Sequence, residues 1–292
     1  MSRDSGPSGM LRRAPPTKSE RRLRRLINHG CRLAAAVVVV MALTASASAA
    51  LELVVQGDEW ARARALPAVS TYLSKALGQP VRVQIRRNPL EHWRRLSAGE
   101  RPAMVLEDPH FADYRVTRSG YRIVAAVEGS QVFSLAAAGF LLLDPLELAG
   151  RPVAALSPPS LSTLQLLAFF SDSVHIPRIL EAPTYPAAAV RVFRNEAVAA
   201  VLPAHELRVY PELKEMLLME ELPAKAVSVS PDLTEETVDR IASALLAASR
   251  EADGRLALEE LSISGFVRGH REAYDGLSRL LKGTWGYRPL PP

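Results

Sequence analysis

Apolar and polar positions along the chain fall into short runs that alternate between strand and helix patterns. Leu51-Glu-Leu-Val-Val55, Val81-Arg-Val-Gln-Ile85 and Ala103-Met-Val-Leu106 alternate or stay apolar over strand length. Between them, Ala61 to Leu77 and Leu90 to Ala98 suit helices closed by Gly78 and Gly99. This pace of alternation predicts an α/β fold with a parallel sheet. Tyr121 to Val127 and Val132 to Leu143 are extended runs around Glu128-Gly129-Ser130, which predicts a hairpin or a crossing into a second domain. Farther on, Arg151 to Leu156, Ala197 to Leu202 and Ala226 to Ser230 read as strands. Ala187 to Arg194 and Thr234 to Ser249 read as helices, and residues 256–282 as one or two more. The resulting division is a first lobe from 50–130 and 213–292 and a second from 131–212.

The stretch richest in chemistry lies in the second unit. A strand ending at Leu156 runs into Ser157-Pro-Pro-Ser-Leu-Ser-Thr163, and Leu164 to Phe170 then suits a helix. Three hydroxyls, Ser160, Ser162 and Thr163, thus fall in the turn where strand passes to helix. Free N–H groups and the positive end of the helix dipole point out of such a turn, which can hold an oxyanion without lysine or arginine. The alternative is an ordinary Ser/Thr helix cap, a role that one of the three is expected to fill in any case.

Charge changes the picture at the amino terminus. Nine of the 36 Lys/Arg and two of the 31 Asp/Glu lie in residues 1–50, leaving 27 and 29 for the rest. The body is therefore slightly acidic, and the net +5 does not indicate nucleic-acid binding. A basic segment, an apolar run from Leu33 to Leu43 and a small-residue segment ending Ala47-Ser48-Ala49 form the three parts of a secretory signal. Residues 1–49 are expected to be a signal peptide, with an uncleaved membrane anchor as the alternative, and the rest to reside in the periplasm. The single cysteine, Cys31, lies before the apolar run, so the mature chain would hold no disulfide, thiolate or cysteine metal site.

Ligands in parallel α/β sheets sit beyond the carboxyl ends of the strands. Trp60, with Glu59, follows the first strand, and Asp108-Pro-His110 follows the third. His110 there could donate to an anion or simply start a helix. Trp60 could wall a pocket or pack the next helix, and Tyr185 could line the cleft or pack at the hinge. His92, His175, His205 and His270 share no metal-ligand spacing and are expected at the surface. Asp108 beside His110 suggests acid–base chemistry, yet neither a G-x-S-x-G elbow nor a P-loop is present. No enzyme, metal or cofactor is indicated.

The order of these pieces resembles the periplasmic substrate-binding proteins of phosphate, phosphite and phosphonate ABC transporters. The resemblance rests on Gly150-Arg-Pro-Val-Ala154 before the hydroxyl loop, on Asn195-Glu-Ala-Val-Ala-Ala200, and on Leu258-Glu-Glu-Leu-Ser-Ile-Ser-Gly265-Phe266. It implies the type II periplasmic binding protein fold, two α/β lobes closing on a ligand at a hinge cleft. It places the anion on Ser160, Ser162 and Thr163 and implies a small anionic ligand, a membrane permease as partner and a monomer. Three departures stand out: Pro158-Pro159 stiffens the hydroxyl loop, the family's Asp is replaced by Val198, and Tyr185 stands where a histidine is common. The double proline and the missing Asp motivate an alternative, a sensor or scaffold of the same fold with a degenerate pocket.

Overall fold

The computed structural model describes residues 50–57, 66–138, 144–171 and 176–289. The expected signal segment, Trp60 and His175 lie outside the described residues. Residues 49–292 form one compact unit. No helix among the described residues is long and apolar enough to cross a membrane.

The first sheet is built from β1 (Leu51–Gln56), β2 (Val81–Arg86), β3 (Met104–Glu107), β4 (Arg122–Val127), β12 (Ala226–Val229) and β13 (Phe266–Arg268). Their order is β13-β4-β12-β3-β1-β2. β1 runs parallel to β2 and β3, as the alternation with helices predicts, whereas β12 enters antiparallel between β3 and β4. Leu53 and Val55 face α1 (Pro67–Leu77), α6 (Glu235–Ala247) and α7 (Ala252–Glu260) through one core. Val54 and Val105 face Val116 of α3 (Pro109–Ser119) through another. Both faces of β1 are covered, so its central residues are apolar without alternation. α2 (Pro89–Ser97) adds Trp93 and Leu96 beside Phe111 and Tyr114 of α3.

The second sheet has the order β10-β6-β9-β7-β8. Its strands are β6 (Phe133–Ala138), β7 (Pro152–Leu156), β8 (Arg178–Ala182), β9 (Ala199–Pro203) and β10 (Leu213–Leu218). β7 is parallel to β8 and β9. The fully buried alanines 136, 154, 188, 189 and 200 form the core beneath α5 (Tyr185–Phe193), which packs closely on β7 and β9 because these residues carry only a methyl group. α4 (Leu161–Phe169) covers the other face with Leu161 and Leu166.

The chain crosses between the sheets twice, and the two crossings pair as a short antiparallel ribbon of β5 (Ser130–Gln131) and β11 (Leu222–Pro223). The extended runs around Gly129 are therefore a crossing rather than a hairpin. Several expectations are corrected. β10 pairs with β6, so the second sheet extends to Leu218 and the return to the first comes after it, not at residue 213. α4 starts at Leu161 rather than Leu164, because Leu161 is buried in the second core and must lie on the helix face that meets it. α6 runs from Glu235 and is capped by Thr234, whose hydroxyl accepts from the Thr237 amide. The closing segment gives α7, then the edge strand β13, then short 3-10 turns.

Candidate functional site

The carboxyl ends of β1 and β3 and the start of β12 bring Gln56, Asp108 and Lys225 together. The Asp108 amide donates to Gln56 Oε1 at 3.0 Å. Lys225 Nζ donates to Asp108 Oδ1 at 2.6 Å and to the Gln56 carbonyl at 3.1 Å. Burial alone would raise the Asp108 carboxyl, but the Lys225 ammonium holds it below the ordinary carboxylate range. Asp108 is thus a paired anion and the N-cap of α3 by conformation, with no side-chain cap bond.

His110 sits in the first turn of α3, fully buried. Its Nε2 lies 3.0 Å from the carbonyl oxygen of Pro159, in the turn between β7 and α4. A carbonyl can only accept, so Nε2 carries the proton. Burial pushes the imidazole down to about 4, against the pull of the Asp108 carboxylate, so the ring is neutral near pH 7. The other nitrogen, Nδ1, is then a bare acceptor, buried and without a partner among the described residues. Of the two expected roles, His110 does start a helix, and the one N–H of its neutral ring is committed to Pro159.

Across the cleft, Ser160, Ser162 and Thr163 are all buried. Ser160 is the N-cap residue of α4 by conformation, but its hydroxyl makes no cap bond, contrary to expectation. Thr163 Oγ1 donates to the Leu156 carbonyl at 2.5 Å. Ser160 Oγ lies 3.0 Å from Thr163 Oγ1 and 3.3 Å from the same carbonyl. These two hydroxyls therefore tie the end of β7 to the first turn of α4. Ser162 Oγ is left buried with no partner among the described residues. The amides of Leu161, Ser162 and Thr163 also have no acceptor among the described residues; the next amide, of Leu164, bonds to the Ser160 carbonyl. Ser162 and Thr163 lie inside the helix rather than in the turn, which puts their amides among its free N-terminal donors.

Tyr185 opens α5 and packs its ring against Phe133 at the start of β6, with centroids 5.9 Å apart. It joins both cores of the second lobe as a half-buried residue. His92, expected at the surface, is instead fully buried, with Nε2 2.6 Å from Glu107 Oε2. Arg115 donates to both Glu107 oxygens at 2.7 and 3.1 Å. Burial would raise Glu107, but Arg115 and His92 prevail and hold it at about 2. This ion cluster lies directly behind Asp108 and fixes the end of β3. Among the described residues no three His, Cys, Asp or Glu form a metal site.

Sequence reasoning missed Gln56 and Lys225. The signal for Lys225 was its place in Pro223-Ala-Lys-Ala-Val227, a lone cation at the mouth of an apolar strand.

A family model described as ABC transporter, phosphonate, periplasmic substrate-binding protein matches residues 61–274. No curated protein matches the chain. Three solved structures share the fold. XAC2383 from Xanthomonas citri, bound to ATP, is 14% identical, covers 80% of this chain and 99% of its own, and has a TM-score of 0.67. PhnD1 from Prochlorococcus marinus, in complex with methylphosphonate, is 14% identical over 79% and 97% of the two chains, with a TM-score of 0.65. PA3383 from Pseudomonas aeruginosa, a binding protein component of an ABC phosphonate transporter, is 13% identical over 79% and 85%, with a TM-score of 0.63. The fold is that of the type II periplasmic binding proteins, two α/β lobes around a hinge cleft.

Proposed function

The chain belongs to the family of periplasmic substrate-binding proteins of phosphonate ABC transporters, and from that membership we propose that it captures a small oxyanion at the start of α4 for import. The ligand is phosphate, phosphite or a phosphonate. The observation that carries the site is a group of unmet donors at one helix end: the amides of Leu161, Ser162 and Thr163 and the buried hydroxyl of Ser162. Buried donors left unmet are costly, and an oxyanion at the positive end of a helix meets several at once. His110 meets the turn before that end through Pro159, and Asp108 with Lys225 backs His110 from the first lobe. Ser160 and Thr163 shape the corner rather than donate, because their protons are already committed.

Capture follows from the two-lobe design. The crossings at β5 and β11 are the hinge, and a ligand touching both lobes favours the closed form over the open one. The closed protein would dock as a monomer on a membrane permease. Removal of residues 1–49 would release the mature chain into the periplasm.

The test is thermal unfolding of residues 50–292 with phosphate, phosphite and methylphosphonate. A ligand at 100 times its Kd adds about 2.7 kcal/mol. A shift with one of these anions, lost in Ser162→Ala, supports the proposal; no shift with any of them overturns it. One observation favours the sensor or scaffold alternative: the lobes are already joined by the protein's own groups, His110 to Pro159. In that case the unfolding temperature ignores all three anions.

A further inference from the structure

Two buried polar atoms, Ser162 Oγ in the first turn of α4 and Nδ1 of His110, whose ring meets Pro159 just before α4, lack partners among the described residues, and they differ in kind. Ser162 Oγ can donate, as can the three free amides next to it, whereas His110 Nδ1 can only accept. The Pro159 carbonyl, 3.0 Å from Nε2, fixes that tautomer, and Pro159 leads directly into the turn of α4. A fully deprotonated oxyanion satisfies the donors but leaves the His110 acceptor unmet. An oxyanion that keeps one O–H satisfies both.

We propose that His110 makes the site selective for protonated oxyanions, the monoanion of a phosphonate or phosphate bearing one O–H that donates to Nδ1, over proton-free anions such as sulfate. This rests on the oxyanion reading of α4 and adds the protonation state of the ligand to it. The alternative, an imidazolium that donates to the anion, is opposed by the surroundings of the ring. The charged groups facing it are Asp108 in its own turn, Glu107 at the end of β3 and Lys225 before β12. Both carboxylates are already engaged, Asp108 with Lys225 and Glu107 with Arg115 and His92. Burial and the Lys225 ammonium both act against a second proton on the ring.

Calorimetric titration of the unaltered protein with methylphosphonate, trifluoromethylphosphonate and sulfate, across pH 5 to 9, tests this. Fluorine withdraws electrons, so the second ionisation of trifluoromethylphosphonate falls at lower pH. The expected affinity weakens about tenfold per pH unit above the second ionisation of each ligand, so the two profiles break at different pH values. Sulfate is expected to bind about 10- to 100-fold more weakly, the consequence of one unmet buried acceptor, with no such break. In His110→Phe the preference over sulfate shrinks to within about threefold, since the acceptor is gone. A common break for both phosphonates places the proton on His110 and overturns the proposal, as does sulfate binding as tightly as methylphosphonate. Absence of binding by every anion, phosphate included, sinks the oxyanion reading itself and the selectivity with it.

Discussion

Nε2 of His110, in the first turn of α3, donates to the carbonyl of Pro159 at 3.0 Å and so joins the helix start of one lobe to the hydroxyl corner of the other. Both groups are out of contact with solvent at the ring, so the bond has no water to replace it. In His110→Phe the ring volume is kept while the Pro159 oxygen loses its donor. The expected cost is about 1–3 kcal/mol in urea unfolding. The lobes should also open more readily, seen as a larger radius of gyration in X-ray scattering. An unchanged radius together with unchanged stability would show that the contact holds nothing together.

The three hydroxyls at α4 should separate cleanly. Ser160 and Thr163 satisfy one another and the Leu156 carbonyl, so Ser160→Ala or Thr163→Ala is expected to cost roughly 1 kcal/mol of stability each. The Ser162 hydroxyl has no partner among the described residues, so Ser162→Ala should leave stability unchanged within about 0.5 kcal/mol. Anion affinity should order the other way, with Ser162→Ala the most damaging. Urea unfolding and calorimetric titration on the three variants measure both orders, and equal losses of affinity in all three would contradict the assignment.

The pattern of apolar positions carried the parallel arrangement of β1, β2 and β3 and the hydroxyl corner after β7, because those depend on local periodicity. It did not carry α3. That helix buries Asp113 and Arg115, which a pattern assigns to the outside, and they are buried only because distant partners meet them. Arg115 pairs with Glu107, and Asp113 Oδ2 accepts from the Ser278 amide at 2.8 Å. β10 lies in the second sheet rather than with the first lobe, where its place in the chain puts it, for a related reason. Its side chains Lys214 and Glu215 are exposed at a sheet edge, and only its pairing with β6, some 75 residues away, shows where it belongs. α4 starts three residues earlier than its pattern suggests because Ser160, Ser162 and Thr163 look like a turn, whereas the burial of Leu161 decides the phase.

Acid should weaken the protein in two stages. His110 titrates at about 4 when folded and near its ordinary 6.5 when unfolded. Between those values the unfolded chain binds more protons, so stability rises with pH there and falls as pH drops from about 6.5 towards 4. His92, lowered by burial, adds to the same stage. Glu107 is held at about 2 against an ordinary 4.5, so its contribution is complete above 4.5 and is lost as pH falls towards 2. Urea midpoints measured from pH 8 to 3 should decline through both ranges. His110→Phe should reduce the upper decline and leave the lower one intact; a flat midpoint between pH 6.5 and 4.5 would rule out a neutral buried His110.

Lys225 and Asp108 supply the last test, because the pair has two separable consequences. Both side chains are mostly buried, and Lys225 also binds the Gln56 carbonyl, so Lys225→Met strands a carboxylate at the end of β3. Breaking one side of such a pair is expected to cost roughly 3 kcal/mol. Lys225→Met with Asp108→Asn removes the stranded charge and should recover most of that loss, since an amide needs no counter-ion. Urea unfolding of the two single variants and the double variant gives the coupling, which should exceed about 1 kcal/mol. The double variant should still bind methylphosphonate, because neither group is among the unmet donors at α4. If it folds normally and binds no anion while Ser162→Ala binds well, the anion sits on Lys225 rather than on the helix end, and the site belongs to the first lobe.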